Sequence, residues 1–251
     1  MGSALFITGT GTDVGKSALS LAVLLWARNR GLRAVYHKPV QCGTSAFGAS
    51  SGRTGSVPAG SVEGGDAEWI ETLAGGGIAT QVTYRLRMPA SPHLAAEREG
   101  AALDPERIRS EASSLRNGAD LLVLEGAGGP AVPLDRRGST LAALAADLSM
   151  PCLLACAPGL GTLHHTLSTL AYLESKRVRV AGFAFCHREA AEPELSRDNA
   201  ETLRGLTGLP FFGHLPFHAN LARGVGLTRE EAEAWIAPLA PSLDAWHGGR
   251  T

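Results

Sequence analysis

The sequence predicts an α/β fold in which helices cover both faces of a doubly wound, mainly parallel sheet. Short apolar runs alternate along the chain with longer segments of helical periodicity. Several of these runs are uninterrupted, which is typical of strands that are buried on both faces of a parallel sheet. Neither an internal repeat nor a composition shift divides the 251 residues. We therefore expect a single domain over residues 1–251.

The apolar runs predict six strands, at residues 4–8, 34–37, 121–124, 151–155, 178–186 and 211–215. Seven helices are predicted between and after them, at residues 16–30, 67–74, 105–116, 139–148, 163–175, 197–206 and 228–239. Ligands of a doubly wound sheet bind beyond the carboxyl ends of the strands, so a site is expected at those ends. Residues 43–65 are rich in Gly, Ser and Ala and predict a flexible surface loop, for which an insertion without function is the favoured interpretation.

The charge and composition exclude several classes of function. Hydrophobic residues make up 44% of the chain and charged residues 19%, which is typical of a packed globular protein. With 23 Lys and Arg against 24 Asp and Glu, the net charge of -1 provides no basic field for nucleic acid or an anionic membrane. The longest apolar stretch, residues 18–27, is too short to span a bilayer, and no secretory signal precedes the first strand. We expect a cytoplasmic protein with no nucleic-acid or membrane partner and with reduced cysteines.

A phosphate-binding loop follows the first predicted strand. The residues GTGTDVGKS, at positions 9–17, lead directly into an apolar helix. The glycines allow consecutive backbone N–H groups to surround a phosphate, the helix N terminus adds partial positive charge, and Lys16 reaches the terminal phosphates. The Ser17 hydroxyl is the expected magnesium ligand. Five residues, instead of the usual four, separate Gly9 from Gly15, so the motif is a variant of the P-loop NTPase type.

Two acidic residues are candidates for the magnesium site. Glu125 follows a buried strand and precedes the sequence GAGG, whose glycines permit a close approach between backbone and ligand. An enzyme that uses a nucleotide needs such a carboxylate at a strand end to hold the metal ion. Asp66 directly precedes the second predicted helix, and the residue pattern alone favours a helix N-cap over a metal ligand.

Lys38 follows the second predicted strand and precedes Pro39. At the carboxyl end of a parallel strand, its side chain is expected to point into the same crevice as the phosphate loop. A functional lysine is the favoured interpretation, and an ordinary surface lysine is the alternative. The adjacent His164 and His165 are interpreted as helix-surface residues, because neighbours in a helix do not face one ligand.

Together, these motifs resemble the dethiobiotin synthetase family, and the resemblance covers nearly the whole chain. Four stretches carry it in order, namely FITGT leading to GKS at residues 6–17, KPVQ at 38–41, SPH at 91–93 and EGAGG at 125–129. Weaker matches are LGTL at 160–163 and GHLP at 213–216. Many ATPases share the phosphate loop, whereas its five-residue spacing combined with KPV and EGAGG is specific.

The resemblance implies a ligase reaction in biotin biosynthesis. The family converts 7,8-diaminononanoate, CO2 and ATP into dethiobiotin, ADP and phosphate. One amine takes up CO2 as a carbamate, the carbamate oxygen attacks the γ-phosphate to form a carbamic-phosphoric anhydride, and the second amine closes the ring. The resemblance also implies Mg2+ and a homodimer in which the diamine lies near the subunit interface.

Roles for individual residues are implied in the same way. Lys38, Lys16 and Thr12 correspond to catalytic residues, and Thr12, Lys38 and Cys42 to substrate contacts. Ser17, Asp66 and Glu125 correspond to magnesium ligands, which reverses the helix-cap interpretation of Asp66. The implied nucleotide contacts are Asp13, Val14, Gly15, Lys16, Ser17, Glu125, Gly126, Ala127, Gly128, Cys186, Leu215, Pro216 and Phe217.

Several positions depart from the family pattern. Cys42 stands where a Ser or Thr is usual, which replaces a hydroxyl contact to the substrate by a weaker thiol contact. Cys186 lies in a segment that often contains a base-reading Asn, and His164 stands where an Asn commonly precedes the second histidine. An amide offers a donor and an acceptor on one rigid plane, unlike a thiol or an imidazole. ATP is therefore the default nucleotide, and CTP and GTP remain open.

Two other functions are compatible with the phosphate loop. A nucleotide switch ATPase of the ParA and MinD type carries a lysine near the start of the loop, where this chain has Gly11, and the sequence shows neither a basic patch nor an amphipathic membrane tail. A related P-loop synthetase with a changed substrate is the other alternative. A cobyrinate amidating synthase would need a glutaminase domain, for which the chain is too short.

Overall fold

The computed structural model describes residues 2–44, 64–188 and 193–249. Its strands are β1 (Ser3–Gly9), β2 (Ala34–Cys42), β3 (Ala79–Leu86), β4 (Leu121–Glu125), β5 (Cys152–Cys156), β6 (Val180–Cys186) and β7 (Phe211–Leu215). Its helices are α1 (Lys16–Asn29), α2 (Asp66–Ala74), α3 (Pro92–Arg98), α4 (Pro105–Gly118), α5 (Leu141–Asp147), α6 (Thr162–Ser175), α7 (Pro193–Thr207), α8 (Ala219–Ala222), α9 (Arg229–Ile236) and α10 (Ala240–Gly248). All the predicted strands and helices are found, with shifted ends.

The strands form one sheet in the order β3-β2-β4-β1-β5-β6-β7, in which every described pair is parallel. β2 and β3 lie on one side of the central β1, and β5, β6 and β7 lie on the other side. The predicted fold class is confirmed. Because the strands are parallel, all their carboxyl ends lie along one edge of the sheet, where a ligand has access to both halves.

Apolar side chains cover both faces of the sheet. On β1, Leu5 and Ile7 pack into one hydrophobic cluster with α1, whereas Ala4 and Phe6 pack into a second cluster. All four side chains are fully buried. Alternate residues of a strand point to opposite faces, so a strand that is covered on both sides needs apolar residues at every position. This requirement explains the uninterrupted apolar runs in the sequence.

Lys38 lies within β2 and not after it, because the strand continues through Pro39 to Cys42. Pairing between β2 and β4 ends at His37, whereas pairing with β3 continues to the end of the strand. Proline cannot donate to a ladder of hydrogen bonds, and it is tolerated here because β4 no longer runs alongside. The extended strand carries Lys38 to the level of Glu125, the last residue of β4.

Four described elements, β3, α3, α8 and α10, lie outside the predicted strand and helix ranges. β3 is an edge strand, and most of its residues are at least partly exposed. Its sequence, ATQVTYRL, therefore contains no apolar run from which a strand could be predicted. α8 has four residues, and α10 contains a proline and ends at a glycine. Most of the predicted loop at residues 43–65 lies outside the described residues. None of the described helices combines the length and apolar character needed to cross a membrane.

Candidate active site

A cleft of about 1080 Å³ lies beyond the carboxyl ends of the strands. The P-loop, residues 9–17 between β1 and α1, contributes to its centre. Two walls flank the loop, since β2 and the pair β6–β7 lie on opposite sides of β1. We term the first the lysine wall, which is formed by Lys38, Gln41, Cys42, Asp66 and residues 89–92. The second is the histidine wall, which is formed by His187, Arg188, Pro216, Phe217, His218 and Trp235.

The P-loop has a shape that receives phosphate. Lys16 Nζ donates a hydrogen bond of 2.8 Å to Gly11 O, inside a loop whose backbone is suited to phosphate oxygens. Burial lowers the pKa of Lys16, and the nearby charge of Lys38 lowers it further. Gly15 has a φ of 92°, and a Cβ at this position would lie 2.4 Å from the Cβ of Cys186. Only glycine combines that backbone conformation with such a close approach.

Glu125 is fully buried and accepts hydrogen bonds from several side chains. Its Oε1 accepts from Ser17 Oγ at 3.0 Å and from Lys38 Nζ at 2.7 Å. Its Oε2 accepts from Ser20 Oγ at 2.7 Å and from Tyr36 Oη at 3.0 Å. Burial raises the pKa of Tyr36 well above its ordinary value, and the charge of Glu125 adds to this effect, so the phenol stays a donor. These donors compensate the cost of burying a carboxylate.

All three N–H groups of the Lys38 ammonium have acceptors within the same cluster. Its Nζ lies 2.6 Å from Asp66 Oδ2, 2.7 Å from Glu125 Oε1 and 3.1 Å from Gly126 O. Lys38 is only 3% exposed. Burial alone would lower the pKa of Lys38, but the carboxylates of Glu125 and Asp66 outweigh it and raise this pKa above its ordinary value. The lysine therefore carries a positive charge at neutral pH, beside the P-loop.

Asp66 is the first residue of α2, and Gly65 occupies the N-cap position. The N–H of Ala67, in the first turn, donates to Gln41 Oε1 at 3.0 Å, so a side chain from β2 caps this helix. The Asp66 carboxylate turns instead towards Lys38. Burial would raise the pKa of Asp66, but the charge of Lys38 holds it below its ordinary value. The helix-cap interpretation, which the residue pattern alone favours, does not describe this geometry.

Ser17, Asp66 and Glu125 together present a set of hard oxygen ligands. The Ser17 hydroxyl lies 2.9 Å from Asp66 Oδ1 and 3.0 Å from Glu125 Oε1. A hydroxyl has one proton and can donate it to only one of these carboxylates at a time. Hydroxyl and carboxylate oxygens are the ligands that Mg2+ prefers, so the donor set fits this ion. No cluster of three or more His, Cys, Asp or Glu suited to a metal occurs in residues 2–44, 64–188 and 193–249, so phosphate and water oxygens would complete the coordination.

Cys42, the last residue of β2, contributes a thiol to the lysine wall. Cys42 lines the cleft and is half buried. Burial raises the pKa of its thiol to about 11, so the group is protonated at neutral pH and is a weak hydrogen-bond donor. Thr12 lines the cleft from the P-loop. His37 is excluded from the lining, because it is buried with its Nε2 at 2.8 Å from Thr83 Oγ1.

On the histidine wall, Cys186 does not reach the cleft. It is 2% exposed and packs against Gly15 from behind the P-loop. The next two residues, His187 and Arg188, line the cleft instead. Arg188 Nη1 donates to Asp13 O at 3.2 Å, which links the segment after β6 to the P-loop. Direct reading of a base by Cys186 therefore has no support from this arrangement.

A tryptophan holds the segment that follows β7. Pro216 and Phe217 line the cleft, whereas Leu215 is buried behind them. Trp235 of α9 also lines the cleft, and its Nε1 donates to Pro216 O at 2.8 Å. This contact ties the segment after β7 to α9.

The structure brings most of the predicted site residues to one place. Those that line the cleft are Thr12, Asp13, Gly15, Lys16, Ser17, Lys38, Cys42, Asp66, Ala127, Gly128, Pro216 and Phe217. Among the described residues, the predicted members outside the lining are Val14, Glu125, Gly126, Cys186 and Leu215. Glu125 and Gly126 accept hydrogen bonds from Lys38, which does line the cleft. His164 is exposed on α6 and lies outside the lining.

The sequence analysis missed other residues of the site. These are Ser20, Tyr36, Gln41, His187, Arg188 and Trp235. Gln41 belongs to the KPVQ motif, which was a signal for its role. For the others, the partners lie on different elements, and no local spacing marks them.

Comparison with known protein families and curated proteins gives consistent matches. Residues 3–224 match a family model described as an AAA domain. The chain is 31% identical to the ATP-dependent dethiobiotin synthetase BioD of Halalkalibacterium halodurans, over 86% of this chain and 85% of that protein. Identity to the protein of the same name from Streptomyces coelicolor is 34%, over 93% and 92% of the two chains. The corresponding protein of Rhodococcus erythropolis is 36% identical over 85% and 88%.

Solved structures of low sequence identity share the fold. The MinD cell division protein of Aquifex aeolicus superposes with a TM-score of 0.60 at 13% identity, over 98% of this chain and 97% of that one. The septum site-determining protein MinD from Pyrococcus horikoshii, complexed with Mg-ADP, gives a TM-score of 0.57 at 12% identity, over 100% and 96%. At such identities the likeness shows the P-loop NTPase fold alone.

Proposed function

The chain belongs to the dethiobiotin synthetase family, and we propose that it forms dethiobiotin from 7,8-diaminononanoate, CO2 and a magnesium nucleotide, with ATP as the default. Family membership makes it an ATP-dependent ligase. The observation that carries the detailed proposal is the Lys38 ammonium group. It is buried beside the P-loop and is held there by acceptors from β4 and α2.

The proposed reaction brings like charges together. One amine of the substrate takes up CO2 as a carbamate, whose oxygen attacks the γ-phosphate of the nucleotide. Both groups are anionic, so their approach requires positive charge in the cleft. Lys16 and Lys38 supply it, and they lie close enough for the charge of Lys38 to lower the pKa of Lys16. Charges fixed in advance in a site of low dielectric stabilise the transition state without reorganisation.

Lys38 must release one acceptor before it can bind a carbamate oxygen, because its three N–H groups are already used. Glu125 is fully buried and is held by other donors as well. The Asp66 side chain is 41% exposed. Asp66 is therefore the acceptor that Lys38 exchanges for the carbamate, and the released carboxylate stays beside Ser17.

Ring closure needs no nucleophile from the protein. The second amine attacks the carbonyl carbon of the carbamic-phosphoric anhydride and displaces phosphate. Cys42, a thiol of the lysine wall, stays protonated because burial raises its pKa to about 11. The chain contributes binding, orientation and charge, and orientation alone is worth roughly 7 kcal/mol or more. Ser17, Asp66 and Glu125 would hold Mg2+, which supplies further positive charge to the phosphates when bound.

Further parts of the proposal rest on the family resemblance. Thr12 and Cys42 contact the diamine, and residues 13–17, 126–128 and 215–217 contact the nucleotide. The single-domain chain functions as a homodimer in the cytoplasm, with the diamine near the subunit interface. CO2 enters as such or from bicarbonate.

Product formation by the purified protein tests this proposal. The reaction contains 7,8-diaminononanoate, bicarbonate, MgCl2 and ATP, and both dethiobiotin and ADP are quantified. We expect equal amounts of the two products, and neither when the diamine is omitted. ATP turnover that needs DNA or lipid vesicles and yields no dethiobiotin would contradict the proposal and indicate a nucleotide switch.

Lys38→Gln separates the chemistry from nucleotide binding. The substitution removes the charge that receives the carbamate, so we expect dethiobiotin formation to fall at least about 100-fold. The nucleotide Kd should change less than about threefold, because the phosphates are held by the P-loop. Lys176→Gln, at the exposed lysine that follows α6, is the matched control and should change neither quantity. Equal losses of activity and nucleotide affinity in the folded Lys38→Gln protein would refute the assigned role.

A further inference from the structure

A buried glutamine connects the strand of Lys38 to the helix of Asp66, and the proposed reaction does not use it. Gln41 follows Lys38 on β2 and is only 1% exposed. Its Oε1 accepts from the backbone N–H of Ala67 at 3.0 Å, and its Nε2 donates to Glu68 Oε2 at 2.8 Å. Ala67 and Glu68 directly follow Asp66 at the start of α2. The side chain of Gln41 therefore joins β2 to the first turn of this helix.

The partners of Gln41 fix the orientation of its amide. A backbone N–H only donates and an ionised carboxylate only accepts, so Oε1 faces Ala67 and Nε2 faces Glu68. Burial would raise the pKa of Glu68, but the hydrogen bond from Gln41 counters this effect. The N–H of Gly65 and the charge of Arg85 also favour the carboxylate, so this pKa lies below its ordinary value. The bond from Gln41 to Glu68 is therefore charge-assisted at neutral pH.

Gly65 shows how tightly this amide is packed. A Cβ at Gly65 would lie 2.1 Å from Nε2 and 2.3 Å from Cδ of Gln41, so any larger residue would displace the glutamine side chain. The backbone of Gly65 is extended, with a φ of -150°, which any residue can adopt. The contact with Gln41 therefore accounts for a glycine at this helix N-cap, where Ser, Thr, Asp or Asn is usual.

Asp66 needs an anchor because the proposed reaction draws on the donors of its carboxylate. Within the described part of the chain, these donors are Ser17 Oγ, at 2.9 Å from Oδ1, and Lys38 Nζ, at 2.6 Å from Oδ2. In the proposed reaction, Lys38 turns to the carbamate and Ser17 is a ligand of Mg2+. Glu125, by contrast, keeps two further donors on its Oε2 throughout. During the exchange, the position of Asp66 depends on its backbone, which Gln41 holds.

We propose that Gln41 is a positioning residue for Asp66, which anchors the start of α2 to β2 so that the Asp66 carboxylate stays in the magnesium site when Lys38 releases it. The inference rests on the proposed function, because it takes Ser17, Asp66 and Glu125 as the ligands of Mg2+. An aspartate side chain is short, so the position of its backbone largely determines where the carboxylate lies. Gln41 acts through this backbone and not as a ligand. Its loss should weaken Mg2+ binding without removing a ligand.

Gln41→Glu tests the anchor by changing the polarity of one contact. The variant keeps an acceptor for the N–H of Ala67, but it places a carboxylate oxygen against Glu68. ADP is titrated by tryptophan fluorescence, because Trp69 and Trp235 line the cleft. The Mg2+ effect is the ratio of the ADP Kd without Mg2+ to the Kd with it. We expect this effect to be about tenfold smaller in Gln41→Glu, as when one charge-assisted hydrogen bond is lost. The Kd for metal-free ADP should change less than about threefold, because the P-loop holds the phosphates.

Two further variants separate this role from a general loss of structure. Glu68→Gln in the Gln41→Glu background restores a donor and an acceptor between the two side chains, so the Mg2+ effect should return to within about threefold of the unmodified protein. Gln81→Glu is the matched control, because Gln81 Nε2 faces Glu111 Oε2 outside the cleft lining, and it should leave the Mg2+ effect unchanged. An unchanged Mg2+ effect in Gln41→Glu, or no recovery in the double variant, would overturn the proposal.

Gly65→Ala gives an independent test that keeps both Gln41 and Glu68. The added methyl group would displace the amide of Gln41, so we expect the Mg2+ effect to fall about tenfold here as well. Gly118→Ala is the matched control, because a Cβ at this position at the end of α4 meets nothing within 4 Å. Urea denaturation shows that each variant is folded before it is titrated. A normal Mg2+ effect in folded Gly65→Ala would contradict the anchoring role.

ADP binding does not require dethiobiotin formation, so this inference and the proposed function can fail separately. A Mg2+ effect that depends on Gln41, in a protein that forms no dethiobiotin, would support the positioning role and contradict the proposed reaction. Dethiobiotin formation with a Mg2+ effect that is the same in Gln41→Glu would support the reaction and contradict the positioning role.

Discussion

The lysine wall and the histidine wall border the same cleft, but they are stabilised in different ways. On the lysine wall, Lys38 is buried, charged and joined by a 2.7 Å contact to the buried carboxylate of Glu125. On the histidine wall, burial lowers the pKa of His187 and of its neighbour His214, and Phe217 is exposed. The charged groups of the first wall are already paired with one another, whereas the second exposes an apolar ring that a ligand can cover.

Under the proposed function, this difference corresponds to two tasks. Stabilising anions during phosphoryl transfer needs charges that are fixed before the substrate arrives. Recognising a base needs shape and a few polar groups that the ligand itself completes. We therefore expect disruption of the buried Lys38–Glu125 pair to affect both folding and catalysis, and substitutions on the histidine wall to affect mainly the KM for the nucleotide.

Glu125→Gln should have the largest effect. The amide would place N–H groups against the donors Ser17 and Lys38 or against Ser20 and Tyr36, and Lys38 would lose a buried counter-ion. We expect the free energy of unfolding to fall by roughly 3 kcal/mol, as when one partner of a buried ion pair is removed. Dethiobiotin formation should fall at least about 100-fold. Urea denaturation and product assays measure the two losses.

Glu111→Gln is the matched control for this substitution. Glu111 accepts from Thr83 and Arg107 on the partly exposed surface of α4. Loss of such contacts should cost no more than about 1 kcal/mol. If Glu125→Gln were as stable as Glu111→Gln, the lysine wall would not be a tightly coupled cluster, and the contrast between the walls would disappear.

Asp66→Asn should produce a smaller, selective loss. The Asp66 side chain is partly exposed, so its removal leaves Lys38 paired with Glu125 and the fold intact. An amide is a weaker magnesium ligand than a carboxylate, and we expect the Mg2+ concentration for half-maximal activity to rise about tenfold. Glu71→Gln, at an exposed glutamate of the same helix, should leave the Mg2+ titration unchanged. An unchanged Mg2+ titration in Asp66→Asn would indicate that Asp66 has only a structural role.

The lysine wall was largely predictable because its residues lie in contiguous motifs at strand ends. GKS, KPVQ and EGAGG each place a chemical group near the carboxyl end of a strand, and parallel strands bring those ends together. Asp66 was ambiguous, because a helix start suits both a cap and a metal ligand. Gln41 is the actual cap, and only the packing of β2 against α2 shows it.

The histidine wall was less predictable because its groups come from separate elements. His214 of β7 contacts both Ser196 of α7 and His187 after β6, and no sequence spacing connects these residues. The sequence analysis chose Cys186 by position in a family motif, but the close approach of Gly15 buries that side chain and leaves His187 in the cleft. The packing of Gly15 against Cys186 thus decides which of two neighbouring side chains, Cys186 or His187, faces the cleft.

Trp235→Phe tests whether the histidine wall serves binding alone. The phenyl ring fills most of the space but loses the Nε1–H that donates to Pro216 O. One hydrogen bond of this kind is worth about 1 kcal/mol, so we expect the nucleotide KM to rise about fivefold with kcat and the diamine KM unchanged. Trp26→Phe loses a comparable bond, to Asp244, and should reduce stability without changing the nucleotide KM. A fall in kcat for Trp235→Phe would contradict the division of tasks between the walls.

Cys42→Ser should have the smallest effect. It changes an uncharged group of the lysine wall and so tests a contact that does not depend on charge. The thiol is protonated, because burial raises its pKa to about 11, and it offers only a weak donor. A hydroxyl of similar size donates and accepts more strongly, so we expect the KM for 7,8-diaminononanoate to fall about threefold while the nucleotide KM and the stability stay the same. Steady-state kinetics with each substrate varied in turn gives both constants. If the nucleotide KM fell instead, Cys42 would face the nucleotide, and the diamine could not occupy the lysine wall as proposed.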